Sequence, residues 1–431
     1  MKKWLLYGLY LIIFLPVLGE FSRVNLPLLQ REVILSDAII PIYIAFWLFT
    51  KPKTPQFKPA TKKLISWIVA FIGIATLSLI ANYNNFATRE LAISSLYLIR
   101  FIEYAALFLI TLNLTKEEKT AKKIFSAAII SAFLIALTGF YQLISLPDLK
   151  ELAKESGYDP HINRLVGSWL DPNFISGYFA FIISIIVGVV LKTKNLRLRL
   201  YLGTTAIVLL IATFLTYSRS GYIALAIGIV VISVLRSRKL LIIVAIFASI
   251  GLGISERAQQ RVGELVQSAS SIFLNTAQNP DPTARLRIKS WQQSIELFQK
   301  QPLLGYGYNT LTYAKLNEGF VADTTIHSAS GSDSSLLTIA ATTGIFGLLT
   351  FLAIYILVLK KSFTNAYKKN LSKFHQGLGL GLFAGILSLI IHAIFVNSLL
   401  FPQILIHFWI MLGIMYSAKP KSVPPLQIPQ K

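Results

Sequence analysis

About twelve apolar segments, most of them long enough to cross a bilayer, constrain the fold of this chain more than any other feature. Inside a membrane no water is available to backbone amides and carbonyls, so segments of this kind fold as helices. The sequence therefore predicts an all-α fold, a polytopic membrane helical bundle of about 12 transmembrane helices. The predicted spans are 4–19, 34–50, 64–81, 91–112, 124–146, 173–191, 200–217, 221–235, 240–254, 336–359, 377–399 and 402–417.

The loops between these segments differ in their content of lysine and arginine. The formal charge of the chain is +22, which in a soluble protein would suggest nucleic acid as a partner. In a membrane protein the better explanation is the excess of basic residues in cytoplasmic loops, and here that excess falls on alternate loops. We therefore predict no nucleic-acid partner, a multi-pass protein of the cytoplasmic (inner) membrane, and a cytoplasmic position for both termini.

Hydropathy and charge together divide the chain into four parts. One of them is a single large helical extracytoplasmic loop, which interrupts the series of spans. The parts are residues 1–254 with transmembrane helices 1–9, residues 255–335 with the extracytoplasmic loop domain and its active-site motifs, residues 336–418 with helices 10–12, and residues 419–431, a proline-rich cytoplasmic tail predicted to be disordered.

The extracytoplasmic loop contains one strongly amphipathic segment. Asp281 is the predicted N-cap of a helix, and Pro282 occupies its first position. Arg285 and Lys289, four residues apart, form a basic ridge beside an apolar face. A tryptophan-bearing helix between two spans is expected to lie along the lipid surface with its arginines above it. The apolar face consists of Ile288, Trp291, Ile295 and Phe298.

Arginine, whose planar guanidinium binds phosphate oxygens well, is the main basic residue of the outward loops. Arg219 lies in a tight serine- and glycine-containing turn between two spans, and its alternative role is an interfacial anchor. For Arg285 and Arg287, a diphosphate-binding pair and an ordinary solvated basic face are both open. We expect Arg219 and Arg287 to face one outward cavity.

Two residues before the tenth predicted span are candidates for a catalytic base. His327 is the only histidine of the large outward loop, and a neutral imidazole can take a proton from a sugar hydroxyl. Its alternative is an ordinary surface histidine. Asp333 can also act as a base, although a position just before an apolar helix is equally typical of an N-cap.

Four titratable residues lie inside predicted spans. Arg100 and Glu103 are three residues apart on one face of the fourth span, where they are either functional or a mutually paired structural couple. His392 and His407 are predicted to be structural. The chain has no cysteine and no cluster of acidic residues of the kind that holds Mg²⁺ or Mn²⁺, so we predict neither a metal nor a cofactor.

Four motifs, in this order, resemble the O-antigen ligase / O-antigen polymerase superfamily of bacterial membrane glycosyltransferases. The likeness covers residues 160–360. Family members commonly have a His-Asn pair where this chain has Asp333 and Ser334, so the identity of the base stays open between His327 and Asp333. The motifs are Arg164-Leu-Val-Gly-Ser-Trp-Leu-Asp-Pro-Asn173, Thr216-Tyr-Ser-Arg219-Ser-Gly221, Arg287-Ile-Lys-Ser-Trp291 followed by Pro302-Leu-Leu-Gly305-Tyr-Gly307, and Gly344-Ile-Phe-Gly347.

The resemblance implies a GT-C-like, metal-independent inverting glycosyltransferase in membrane lipid. Its donor would be a glycan on undecaprenyl diphosphate, and its acceptor a hydroxyl of a glycan, a lipid or a protein. His327 or Asp333 would deprotonate the acceptor at the extracytoplasmic side. The diphosphate would be bound by Arg219 and Arg287, supported by Arg285, Arg164 and Asn173.

Several other functions are compatible with parts of this sequence. A polysaccharide polymerase or a protein O-glycosyltransferase of the same superfamily would share the donor chemistry. A lipid-linked glycan flippase or secondary transporter would also suit twelve spans with both ends inside, but the chain has no two-fold internal repeat and few intramembrane carboxylates. A structural membrane scaffold would leave the arginine motifs unexplained.

Overall fold

A computed structural model describes residues 2–26, 31–50, 57–151, 161–236, 282–322 and 331–420, with scattered positions between 238 and 264. Within these residues the protein is a bundle of thirteen α-helices with one two-stranded antiparallel hairpin. Nine of the described helices are long and apolar enough to cross a membrane. The predicted all-α polytopic membrane fold is therefore confirmed.

Most predicted spans correspond to one helix each. Two of these helices, α2 and α13 below, are apolar but shorter than a full span, and the predicted span 240–254 includes residues outside the described part of the chain. The helices are α1 (Lys2–Leu18), α2 (Leu35–Phe49), α3 (Pro59–Ala81), α4 (Thr88–Leu114), α5 (Glu118–Ser145), α6 (Pro172–Lys192), α7 (Leu196–Leu215), α8 (Arg219–Arg236), α9 (Pro282–Lys300), α10 (Leu311–Asn317), α11 (Ser335–Tyr367), α12 (Lys373–His392) and α13 (Pro402–Ser417); the hairpin joins β1 (Arg23–Leu26) to β2 (Arg31–Ile34).

The loops form two groups at opposite ends of the bundle. At one end, the Asn82 side chain donates to the carbonyl of Gly305 over 2.8 Å. At the other end, Lys58 Nζ donates to the carbonyl of Ala418 over 2.8 Å. The first pair joins two predicted outward loops, and the second joins two predicted cytoplasmic segments. The described residues thus separate the loops as the charge alternation predicts.

The helices α6 and α12 pack closely at the centre of the bundle. Glycines allow this approach: a Cβ at Gly381 of α12 would lie 2.5 Å from the Cα of Ile185, and one at Gly377 would lie 2.7 Å from the Cα of Val189. In lipid, helix pairs are held by van der Waals packing, which favours such small residues at the contact. The pair brings the start of α6 and the end of α12 to the same end of the bundle.

Helix α11 is interrupted at Gly344, where φ is +64°. The interruption frees carbonyls that would otherwise bond within the helix. Tyr306 N–H donates to the carbonyl of Ala341 over 3.1 Å, and Gly307 N–H donates to that of Thr342 over 2.9 Å. The Pro-x-x-Gly-x-Gly motif is therefore a loop that docks on the broken helix and satisfies backbone groups that lipid cannot.

We predict that Gly344→Ala destabilises the protein by more than about 2 kcal/mol, because its left-handed φ disfavours a side chain and the new Cβ would overlap the carbonyl oxygen of Leu303. Thermal unfolding in detergent measures the effect. Gly203→Ala in α7 is the matched control: no atom of the described residues lies within 4 Å of its Cβ position, so its melting temperature should stay at or above wild type. Equal melting temperatures for the two variants would contradict the docking role of this break.

Candidate active site

The turn between α7 and α8 is held by Arg164. Arg164 Nε donates to the carbonyl of Thr216 over 2.8 Å, and its Nη2 lies 3.4 Å from the carbonyl of Tyr217. Tyr217 has a φ of +50°, a conformation that turns the chain sharply between the two helices. Two of the Arg164 donors are therefore used to fix the turn that precedes Arg219.

The N-termini of α6 and α8 meet at this turn. Ser218 Oγ donates to Asn173 Oδ1 over 2.9 Å. Gly221 packs directly on the hydroxyl of Ser176, and a Cβ at Gly221 would overlap it. The structure thus brings together Arg164, Asn173 and the turn, which lie in two separate motifs. Two helix N-termini, each the positive end of a helix dipole, lie side by side.

Arg219 is the first residue of α8, and its side chain is largely buried, with 12 % of its area exposed. Its Nη1 lies 3.5 Å from Oε2 of Glu264, a residue of the predicted extracytoplasmic loop. Glu264 was not among the residues predicted from the sequence. An acidic residue in a strongly basic protein could have suggested a partner for an arginine. The ion pair orients the guanidinium at the helix N-terminus.

Arg287 of α9 lies beside the end of α12. It is within electrostatic range of the His392 imidazole, and the backbone of Asn173 lies against the same ring. Ser398 Oγ is 2.5 Å from His392 Nδ1. Gly177 leaves room for the ring, since a Cβ there would lie 2.5 Å from its Cε1. His392 therefore packs against the start of α6 within electrostatic range of Arg287, a position that sequence periodicity did not reveal.

The remaining predicted site residues are placed differently. Arg285 is exposed on α9. His327 lies outside the described residues. Asp333 is exposed, with a φ of +52°, and the helix after it is capped by Ser334, whose hydroxyl accepts from the N–H of Leu337 over 3.5 Å. The N-cap interpretation of Asp333 is therefore wrong, and its carboxylate is not used to start α11.

Helix α9 contacts the rest of the protein through a face that carries two serines. Ser290, Ser294 and Leu297 are buried, whereas Ile295 is 43 % exposed. The serine face is buried because Ser290 Oγ donates to the carbonyl of Gly331 over 2.8 Å. A polar contact to the segment before α11 thus decides the rotation of the helix, and hydropathy alone did not show it.

A buried lysine fixes the segment that contains Asp333. Lys315 Nζ lies 3.0 Å from Ser290 Oγ and 2.6 Å from the carbonyl of Gly331, and its side chain is fully buried. The charge of Asp333 also acts on it. From the sequence, a lysine in a short polar helix such as α10 is expected at the surface. Lys315 is buried because α9 packs on α10.

A cavity of about 380 Å³ lies at the same end of the bundle, between the hairpin and helices α4, α10, α11 and α13. None of the predicted site residues that the structure describes lines this cavity. His327 lies outside the described residues. Neither Arg219 nor Arg287 lines this cavity, and the expectation that they face one outward cavity stays a prediction. Phe174, next in sequence to Asn173, does line the cavity.

Arg100 faces this cavity and does not pair with Glu103 as one hypothesis proposed. Its Nε donates to Asp37 Oδ1 over 2.9 Å, and its Nη2 bonds the second carboxylate oxygen. The guanidinium also lies 4.6 Å from the ring centre of Tyr97. The mutual pair is wrong because α2 packs on α4 and supplies a closer carboxylate.

Comparison with known families agrees with the motifs. Residues 204–352 match the family model described as O-antigen ligase. The matched segment includes the Arg219 turn, α9 and the docking loop, whereas Arg164 and Asn173 lie outside it. This match supports the predicted resemblance to the O-antigen ligase / O-antigen polymerase superfamily over that segment. No curated protein matches the chain.

We predict that Lys315 makes stability rise with pH. Burial lowers the pKa of Lys315 from 10.5 to about 8, opposed by the charge of Asp333. Between these two values the unfolded chain binds a proton that the folded protein does not, so raising the pH favours folding. The gain is about 3 kcal/mol at most by pH 10.5.

Melting temperatures of wild type and Lys315→Met in detergent, from pH 7 to 10.5, measure this difference. Lys315→Met should lose the rise, whereas Lys369→Met, which changes an exposed lysine, should follow wild type. Parallel pH profiles for all three proteins would show that Lys315 does not titrate in this range.

Proposed function

We propose that this protein transfers a glycan from undecaprenyl diphosphate to an acceptor hydroxyl, with inversion and without a metal. The observation that supports this most directly is that Arg219 lies at a turn where two helix N-termini meet, with Arg287 within electrostatic range of His392 next to one of them. Lipid-linked glycan donors and glycan acceptors are the substrates that the superfamily implies.

The electrostatics of the cluster suit a diphosphate. Arg219 adds a guanidinium to the positive end of α8, and Asn173 lies at the positive end of α6. Arg287 approaches from α9 beside the same helix start. Glu264 lies 3.5 Å from Nη1 of Arg219 and orients a guanidinium whose planar form suits phosphate oxygens. Arg285, exposed two residues before Arg287 on α9, adds positive charge at the start of this helix.

The reaction is a single displacement at the anomeric carbon. The acceptor oxygen bonds to this carbon from one face while the bond to the diphosphate oxygen breaks on the other, so the configuration inverts. The electron pair of the broken bond stays on the diphosphate, and Arg219 and Arg287 stabilise that developing charge. The hydroxyl proton passes to His327 or Asp333. Arg164 positions Arg219 indirectly, by holding the backbone of the turn that precedes it.

The outward side of the cytoplasmic membrane is the proposed location of this chemistry. The cluster lies at the end of the bundle whose loops contain few lysines, opposite the lysine-rich loops that favour the cytoplasm. Both termini would then be cytoplasmic. Undecaprenyl diphosphate would reach the arginines from the lipid with its charged group at the membrane surface.

The acceptor defines which member of the superfamily this is. A ligase attaches the glycan to a lipid-borne acceptor, a polymerase attaches it to a second glycan, and a protein O-glycosyltransferase attaches it to a side-chain hydroxyl. The arginine cluster serves all three reactions, so analysis of the product distinguishes them. A flippase or secondary transporter would instead leave the donor chemically intact.

We predict that Arg219→Ala and Arg287→Ala each reduce transfer on the order of 10²–10³-fold, because each removes a stabiliser of the leaving diphosphate. Transfer from a lipid-linked glycan in reconstituted vesicles measures this. Arg89→Ala, which removes an exposed outward arginine at the start of α4, is the matched control and should retain wild-type activity.

Two further variants assign the base. His327→Ala or Asp333→Asn should abolish transfer while the other variant remains active, with all proteins unfolding at similar temperatures. If both arginine variants match Arg89→Ala, the diphosphate assignment is wrong. If no variant, including wild type, consumes the donor, the transport alternative is favoured.

We also predict that EDTA leaves transfer unchanged. Cysteine is absent from the sequence, and the described residues contain no group of three or more histidine, aspartate or glutamate side chains placed to hold a metal ion. The rate in vesicles is measured before and after chelation. A loss that added Mg²⁺ or Mn²⁺ restores would refute metal independence.

A further inference from the structure

We infer that the 380 Å³ cavity between the hairpin and α4, α10, α11 and α13 binds an uncharged, hydroxyl-rich glycan segment. This inference rests on the proposed function, since the cavity lies beside the proposed diphosphate cluster. We call it the glycan cavity. No residue of the predicted site lines it among those described, so it is a separate binding site.

The charges of the glycan cavity are already balanced. Arg23 bonds to Glu20 and lies 3.8 Å from Glu32. Arg100 makes two hydrogen bonds to Asp37. Because each guanidinium is neutralised by a carboxylate, the cavity is expected to bind a diphosphate weakly. Its fixed donors and acceptors suit a neutral ligand instead.

The oxygen of one buried side-chain amide in the cavity wall lacks a hydrogen-bond partner among the described residues. Gln403 is only 3 % exposed, and its Nε2 lies 3.5 Å from Glu20 Oε1. Its Oε1 has no partner within the described part of the chain. Buried polar atoms are nearly always paired, so an unpaired carbonyl in a cavity wall indicates a ligand donor. A sugar hydroxyl supplies that donor and accepts from neighbouring groups.

The rest of the lining has the chemistry of a sugar site. Tyr97 presents an aromatic ring, and Asn309, Asn397 and Thr338 present amide and hydroxyl groups. Aromatic surfaces with a few placed polar groups are typical of small-ligand pockets. The volume is at the small end of the range for such pockets, which suits a short glycan segment better than a lipid chain.

The cavity adjoins the proposed site of transfer. Phe174 lines it and directly follows Asn173, which accepts from the Ser218 hydroxyl of the turn. The Phe174 ring stacks on that of Phe401, with centres 3.9 Å apart. A glycan bound here is therefore next to the diphosphate cluster, as either the donor chain or the acceptor chain.

Two probes and three variants test the cavity in the full-length protein in detergent. The first probe is the glycan released by mild acid from the lipid-linked pool of the host, and the second is undecaprenyl diphosphate without sugar. Calorimetric binding is measured for wild type, Gln403→Leu and Tyr97→Ala. Tyr83→Ala, at an exposed tyrosine of the same end that is not part of the lining, is the matched control.

We expect both cavity variants to weaken binding of the released glycan on the order of tenfold or more, because buried cavity groups lose their ligand partner. Their affinity for undecaprenyl diphosphate should stay at the wild-type value, while Arg219→Ala gives the reverse pattern. Tyr97→Ala keeps the test decisive if Gln403→Leu unfolds. Failure of the wild-type protein to bind the glycan, or equal glycan binding by Tyr97→Ala and Tyr83→Ala, overturns the inference.

Kinetics then identify the source of the glycan. A rise in KM for the lipid-linked donor in Tyr97→Ala assigns the cavity to the donor chain, and a rise in KM for the acceptor assigns it to the acceptor chain. If neither KM changes, the cavity is not a substrate site. Glycan binding that is lost in the cavity variants while wild type shows no transfer would refute the proposed function and leave the cavity assignment intact.

Discussion

The pairing of backbone groups at breaks in membrane helices is the constraint on which this structure depends. Lipid offers no hydrogen bonds, so each interrupted helix needs a protein partner for its freed carbonyls. At the α7–α8 turn Arg164 supplies that partner, and at Gly344 the docking loop supplies it. Both breaks lie in motifs of the superfamily. Many residues of the motifs thus act by pairing backbone groups at these breaks. This pairing places Arg219 and α9 at one end of the bundle.

The proposed site rests on rigid parts of the fold. The close pair α6 and α12 fixes Asn173 and His392 relative to each other through packing that no side-chain rearrangement can easily change. Arg219 starts one helix, and Arg287 lies on another that is held by Ser290 and Lys315. Groups on helices keep their geometry better than groups on loops, which favours stabilising a transition state of fixed shape.

Two kinds of arginine separate the two proposed binding regions. Arg23 and Arg100 are bonded to carboxylates within a cavity, and such pairs mainly position polar groups. Arg219 is paired with Glu264 and is the first residue of α8, at the positive end of that helix. The difference suits a neutral glycan in the cavity and a charged lipid diphosphate at the helix ends. A transferase that holds a lipid-linked sugar chain needs both kinds of region close together.

The sequence by itself determined the membrane class, the positions of most spans, the two groups of loops, the start of α9 at Pro282 and the resemblance to the superfamily. These properties depend on hydropathy, charge and motif order, which are local along the chain. Only the tertiary structure decided which carboxylate pairs with Arg100, which face of α9 is buried, that Lys315 is enclosed, and that a cavity forms beside Phe174. Each of these joins residues far apart in sequence. Their geometry follows from how the helices rotate and pack against one another. Hydropathy does not predict the rotation of a helix whose orientation depends on polar contacts, such as those of Ser290 and Lys315.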